Sequence, residues 1–162
     1  MNESPVQPAK LGVARLTNRH VYILPFRRLH DLVGTFDPRT NRFVLLLLAD
    51  YSESAKYLGW LAKKFVDAGC AYFCAWGPGC ELMHDAVDDA SPLPDDADSV
   101  LMTTWHADDS IEDAVLFALE RATPAGLYEA DCNTVILAVE DRNGWRRDVE
   151  AAAQMGLVRD AI

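Results

Sequence analysis

The sequence contains no uninterrupted apolar run longer than seven residues, and its first ten residues include no apolar stretch of signal-peptide length. A membrane-spanning helix needs about 20 apolar residues, so the sequence predicts neither a membrane span nor an export signal. Cysteine is also scarce, because four cysteines in 162 residues are far below the density of a disulfide scaffold. We therefore expect a reduced, cytoplasmic protein.

Basic residues are missing from a long central stretch of the chain. Between Lys64 and Arg121 there are thirteen acidic residues and no Lys or Arg. The net charge of −10 is unevenly distributed, since residues 1–47 carry a net +4 and residues 48–162 a net −14. The stretch must therefore project negative potential over one flank of the domain.

This charge distribution limits the partners that we expect. Nucleic acids and anionic membranes are bound by Lys and Arg that neutralise phosphate charge, so neither is expected as a partner. A basic protein or a divalent cation would be attracted to this acidic stretch. The alternative is that an acidic surface serves solubility alone.

Four segments have the composition of strands, at residues 43–49, 70–76, 100–105 and 134–139, and the first is continuously apolar, as a strand buried on both faces should be. A helical pattern follows each of them, and Ser52 and Ser110 stand where the first and third helices need an N-cap. This alternation predicts a single α/β domain over residues 20–162, preceded by a loose tail over residues 1–19. We expect a three-layer sandwich, Rossmann-like or flavodoxin-like, with a mostly parallel sheet of four to five strands. The fifth strand would be residues 20–24, at an edge because a proline ends them.

Parallel strands bring their carboxyl ends to one rim of the sheet, where ligands of open α/β sheets bind. The segments that follow the predicted strands all contain polar or reactive groups, and they are residues 50–52, 76–80, 105–109 and 140–142. No Gly-rich phosphate loop follows the first strand, because the sequence ADYSESAK there matches neither a Walker nor a dinucleotide pattern. We expect any chemistry of this protein to lie along that rim.

One hypothesis for the rim is a magnesium-dependent enzyme, either a hydrolase or a phosphoryl transferase. Asp50, Asp108 and Asp109 would supply the carboxylate oxygens that Mg²⁺ prefers, and His106 with Asp108 would act as the catalytic acid or base. The alternative is that these acids cap helix N-termini, where acceptors and negative charge are favoured. Arg142 is the only Lys or Arg in the four strand-end segments, which leaves few groups to hold a transferring phosphoryl group.

Cysteine and tryptophan residues near the rim suggest two other interpretations. Cys80 lies in the first turn of a predicted helix, where the helix dipole favours the thiolate, and His84 lies one turn further on as a base. Cys80 equally belongs to the apolar stripe of that helix, which would make it a core residue. A zinc site is not favoured, because the sequence has no C-x-x-C pair. The second interpretation is a small-molecule pocket lined by Trp76, Cys80 and Trp105.

Residues 103–114, TTWHADDSIEDA, resemble a segment of a family of small bacterial domains of unknown function. In that family a hydrophobic strand ends in T-T-W-H and an acidic helix start follows. The resemblance implies a bacterial α/β domain and no activity, and it suggests that Trp105, His106 and Asp108 matter together.

Two classes of function stay open from the sequence. The first is a non-enzymatic, acidic interaction module without a cofactor, immunity-like or regulatory, which binds a protein partner through residues 65–120. The charge of that flank favours a basic partner. The alternative is the divalent-metal-dependent enzyme, with Mg²⁺ at the strand ends. Apolar residues on second faces of two helices, Tyr57, Trp60, Leu116 and Phe117, would contact either the N-terminal forty residues or a second chain, so a homo-oligomer stays open.

Overall fold

The computed structural model describes residues 7–32, 42–91 and 100–159. Within them, six strands form one sheet in the order β1-β2-β6-β3-β4-β5. The strands are β1 (Ala9–Val13), β2 (His20–Phe26), β3 (Phe43–Leu48), β4 (Cys70–Trp76), β5 (Met102–Trp105) and β6 (Thr134–Glu140). β1 runs antiparallel to β2, and all other neighbouring strands are parallel. The expected α/β fold with a mostly parallel sheet is confirmed, although the sheet has six strands and not four or five.

Helices cover both faces of the sheet. They are α1 (Ala55–Ala68), α2 (Cys80–Ala90), α3 (Ile111–Glu120), the short α4 (Gly126–Glu129) and α5 (Trp145–Gly156), with a 3₁₀ turn at Leu29–Leu32. The core on one face joins α1 and α2 to the sheet, and the core on the other face joins α3 and α5 to it. All six residues of β3 are buried because this central strand is covered on both sides.

The N-terminal region departs from the sequence prediction. Residues 9–13, expected within a loose tail over residues 1–19, form β1 and pair with β2. Residues 1–6 of that predicted tail lie outside the described residues. β2 is consequently not an edge strand, and its proline is tolerated because Pro25 lies beyond Ile23, the last residue of β2 that β1 pairs with.

The helix ends confirm some predicted caps and correct one. The N-cap of α1 is Ser54, whose hydroxyl accepts from the Tyr57 N–H at 3.2 Å, and not Ser52. The hydroxyl of Ser52 instead donates to the carboxylate of Asp50. Ser110 caps α3 as expected, accepting from the Asp113 N–H at 3.1 Å.

Candidate functional site

The carboxyl ends of β3, β4, β5 and β6 lie on one rim of the sheet, because these four strands are parallel. β3 is followed in the chain by its neighbour β4, whereas β6 lies on the other side of β3. The helices that follow β3 and β6 also lie on opposite faces of the sheet. Such a reversal opens a crevice between two strand ends, which is where ligands of open α/β sheets bind.

An ion-pair cluster occupies the ends of β3 and β6. Nη1 of Arg142 lies 3.1 Å from Oδ2 of Asp50, and Nε of Arg142 lies 3.4 Å from Oε2 of Glu140. The same Glu140 oxygen accepts from the Asp50 N–H at 2.9 Å. The hydrogen bond from Ser52, together with Arg142, lowers the pKa of the Asp50 carboxyl below its ordinary value. Asp50 thus holds the two strand ends together.

His106 is buried directly after β5, and both of its ring nitrogens are engaged. Nδ1 lies 2.7 Å from Oδ2 of Asp109, and Nε2 lies 2.9 Å from Oγ1 of Thr104. The carbonyl oxygen of Asp109 accepts from Nε1 of Trp76 at 2.8 Å, which ties this loop to the end of β4. The carboxylate beside His106 belongs to Asp109 and not to Asp108, the residue predicted to act with His106 as a catalytic group. Asp108 is exposed to solvent.

The predicted magnesium ligands Asp50, Asp108 and Asp109 are not assembled into one site. Among the described residues, no group of three or more His, Cys, Asp or Glu side chains is placed to hold a metal ion. The physical reason is visible in the contacts, since Asp50 is bound by Arg142 and Asp109 is bound by His106. Asp50 therefore joins the loops after β3 and β6, and Asp109 stabilises the loop after β5.

The cysteines are core residues. All four are buried and none is in a disulfide. Burial raises the pKa of the Cys80 thiol, which keeps it protonated and unreactive. Nδ1 of His84 lies 2.9 Å from Oδ1 of Asp85, and Nε2 lies 3.0 Å from the Thr103 hydroxyl. Both ring nitrogens are therefore hydrogen-bonded to residues other than Cys80. These contacts favour the interpretation of Cys80 as a core residue over its interpretation as a nucleophile.

A cleft of about 510 Å³ lies at the rim beyond the end of β4, lined by residues 76–81, by Ala107 after β5 and by Trp145 at the start of α5. Trp76 and Cys80 line it, together with Trp145, whose ring meets that of Trp76 edge to face with centroids 5.1 Å apart. Trp105, the third residue of the predicted pocket, does not line this cleft. Its ring packs against His84 with centroids 4.5 Å apart, on the α2 face of β5.

Exposed acidic residues surround the β5 end of the sheet. We call α2, β5 and residues 106–113 the acidic flank. Its exposed acids are Glu81, Asp85, Asp88, Asp89, Asp108, Asp109, Glu112 and Asp113. Three apolar side chains of this flank are also exposed, namely Leu82 at 59%, Met102 at 39% and Trp105 at 47%. The acidic flank therefore combines negative charge with apolar contact area.

A hydrogen-bond network that the sequence analysis missed joins α2 to β5. The Thr103 hydroxyl donates to Oδ1 of Asp88 at 2.6 Å and lies beside Nε2 of His84. The sequence holds one signal for it, since His84 and Asp88 are four residues apart and thus neighbours on one helix face. Their contact with Thr103 could not be predicted, because it depends on which strand α2 covers.

The comparisons with known proteins agree with the resemblance of residues 103–114. The model of a family described as Domain of unknown function (DUF7684) matches residues 24–155. No curated protein matches the chain. The expected membership of a family of domains of unknown function is confirmed. In the described part of the chain, no helix has both the length and the apolar character that crossing a membrane requires.

Proposed function

The chain belongs to that family of domains of unknown function, and we propose that it is a non-enzymatic protein-binding domain whose acidic flank binds a basic partner. The observation that carries the proposal is the concentration of eight exposed acids around one edge strand, without a Lys or Arg between residues 64 and 121. Complementary charge of this kind directs a partner to one surface and accelerates its association. A Rossmann-like or flavodoxin-like arrangement stays a prediction, and the proposal does not depend on it.

Among the described residues, no Lys or Arg forms an ion pair with a carboxylate of the acidic flank. In the described residues, the ion pairs that involve Lys or Arg lie elsewhere, at Lys63–Asp67, Arg142 with Asp50 and Glu140, and Arg146–Glu150. The ion-pair contacts of the acidic flank itself join carboxylates only to His84 and His106. A partner's Lys and Arg side chains would therefore meet carboxylates that are not already paired with Lys or Arg, although Lys63 of α1 lines the same groove as Asp85 and Asp89.

The polar groups of the rim support a non-enzymatic role. His106 uses both ring nitrogens within its own loop and strand, and Asp50 is held by Arg142 and Ser52. A general acid or base must reach the proton of a bound substrate, and in the present contacts these groups bind neighbouring protein groups instead. These contacts stabilise the loops at the carboxyl ends of β3, β5 and β6.

An oligolysine peptide is a direct probe of the proposed binding surface. We expect calorimetry to detect binding at about 10 mM NaCl and to lose most of it at about 150 mM, as the Debye length falls from about 30 Å to about 8 Å. The double variant Glu81→Lys, Asp89→Lys should weaken binding by about tenfold, because it reverses two exposed charges of the acidic flank.

A matched control distinguishes the effect of charges in the acidic flank on peptide binding from the effect of net charge. Asp131→Lys with Asp148→Lys changes the net charge equally, and both residues are exposed and lie outside the acidic flank. Asp148 also matches Glu81, because each lies in the first turn of a helix. We expect this control to bind oligolysine within about threefold of the wild type. Equal losses of oligolysine affinity in the two double variants would contradict the proposal.

A further inference from the structure

The two edges of the sheet differ in how they are protected. Unpaired edge strands are usually blunted by Lys, Pro or a bulge, which prevents another chain from pairing with them. β1 has two of these features, since it carries Lys10 and its register with β2 shifts between Lys10 and Gly12. β5 is short, with four residues, but it has no Lys, Pro or bulge, and its pairing with β4 is regular. No strand of the described residues pairs with its outer side.

The backbone of β5 offers hydrogen-bonding groups on that outer side. Ala75 of β4 pairs with Trp105, and the His106 N–H donates to the Ala75 carbonyl at 2.9 Å. In a parallel ladder, the N–H and C=O of one residue point to the same side and successive residues alternate. The N–H and C=O groups of Thr103 and Trp105 therefore point away from β4. They form a short template for one more strand.

The α2 face of this edge suits a basic side chain. Thr103 and Trp105 lie on that face, with the carboxylate of Asp88 hydrogen-bonded to Thr103 and 49% exposed. A Lys or Arg on an added strand would meet the carboxylates of Asp85 and Asp88. It would also lie near the exposed Trp105 ring, whose face attracts cations.

The opposite face of the edge suits an apolar side chain. Met102 lies there beside its strand partner Tyr72, and it is partly exposed. The Tyr72 ring in turn contacts that of Phe117 on α3, with centroids 6.0 Å apart. An added strand would place every second side chain on this face, next to Met102. Apolar residues at those positions would bury surface that is now in contact with water.

We infer that the outer edge of β5 binds an extended segment of the partner in which basic and apolar residues alternate. The segment adds a strand to the sheet, with its Lys or Arg side chains on the α2 face and its apolar side chains beside Met102. This inference rests on the proposed function and names the way in which the basic partner binds. A second copy of the chain is disfavoured as the occupant of this edge, because two acidic flanks would repel each other.

Peptides of one composition test the inference. The first two probes are a peptide of alternating Lys and Val and a peptide with the same residues in two blocks. The other two are alternating peptides in which the backbone amide nitrogen is methylated, either at every Lys or at every Val. Along a strand, the Lys N–H groups lie on one edge and the Val N–H groups on the other. We expect the alternating peptide to bind at least about tenfold more tightly than the block peptide. One N-methylated peptide should lose binding and the other should keep it.

Amide hydrogen exchange locates the added strand on the protein. Binding of the alternating peptide should slow exchange at the amides of Thr103 and Trp105, while those of Met102 and Thr104 keep their rates. Met102→Ala should weaken the alternating peptide several-fold and leave the block peptide unaffected. This variant removes only an exposed side chain. If the variant folds poorly, the exchange pattern of the wild-type protein still tests the inference.

The outcomes distinguish failure of the strand-addition inference from failure of the proposed function on which it rests. Equal, salt-sensitive binding of all four peptides, with no slowing at Thr103 and Trp105, would overturn strand addition and leave electrostatic binding by the acidic flank intact. Self-association of the protein that the alternating peptide abolishes would assign the edge to a second copy and overturn the inference. Absence of binding by every peptide at low salt would overturn the proposed function as well.

Discussion

Asp50 illustrates, at the scale of a single residue, how a carboxylate with the right chemistry for a metal ion is used for another purpose. Its position after a buried strand agrees with the prediction, but its oxygens accept from Ser52 and Arg142. His106 is similar, because the nearby carboxylate belongs to Asp109 and not to Asp108. At this scale the sequence could indicate which residues reach the rim. It could not indicate which of them would pair with each other there.

The ion pair of Asp50 predicts a pH-dependent contribution to stability. The hydrogen bond from Ser52 and the charge of Arg142 lower the pKa of Asp50 in the folded state from its ordinary 3.8. A carboxyl group of this kind stabilises the fold above its unfolded-state pKa, and that stability is lost as the pH falls through the folded-state pKa. We therefore expect Asp50→Asn to lower the free energy of unfolding at neutral pH and to have a shrinking effect below pH 3.8.

Urea unfolding of the wild type and Asp50→Asn across this pH range measures the difference. Asp131→Asn is the control, because Asp131 is exposed. It should change the free energy of unfolding little at any pH. A destabilisation by Asp50→Asn that stays constant or grows on acidification would show that the ion pair does not contribute as described.

At the scale of helices and strands, the sequence predicts most of the fold, because each element of the core repeats a simple pattern. β4 and α2 begin and end at the predicted residues, 70–76 and 80–90. β1 could not be predicted in the same way, since AKLGV lacks the composition of a strand and its pairing with β2 defines it. The cap of α1 was misassigned because Ser52 and Ser54 have the same chemistry, and only the contact with Asp50 distinguishes them.

The loops after β3 and β4 are joined closely, and Gly77 makes this approach possible. The Tyr51 N–H donates to the Pro78 carbonyl at 3.0 Å, which ties the two loops together. Gly77 has a φ of 116°, and a Cβ atom there would lie 2.0 Å from the carbonyl oxygen of Ala49. No rotation of a side chain can relieve a clash with backbone, so the two loops would have to separate.

We therefore expect Gly77→Ala to lower the free energy of unfolding by about 2–4 kcal/mol, measured by chemical denaturation. Gly59→Ala is the matched control, because Gly59 lies inside α1 and a Cβ atom there would meet nothing within 4 Å. The control should raise the free energy of unfolding by about 0.5–1 kcal/mol, since alanine favours a helix. Equal effects of the two substitutions would contradict the close approach of the loops.

At the scale of the whole molecule, the proposed function depends on where the chain's uneven charge lies in the sheet. The acidic stretch is evident in the sequence, but its relation to an edge strand is not. β5 lies at an edge because β6 lies on the far side of β3, and strand order of this kind cannot be read from the sequence. The same order puts Trp105 beside α2 on an open edge, away from the rim pocket expected for it.

The association of the acidic flank with a basic ligand is tested most directly by mapping amide chemical shifts during titration with oligolysine at about 10 mM salt. We expect the perturbed amides to cluster in residues 80–90 and 102–113, and the shifts to disappear when salt screens the charges. Perturbations spread evenly over the exposed acids, or centred on α4 and α5, would contradict it.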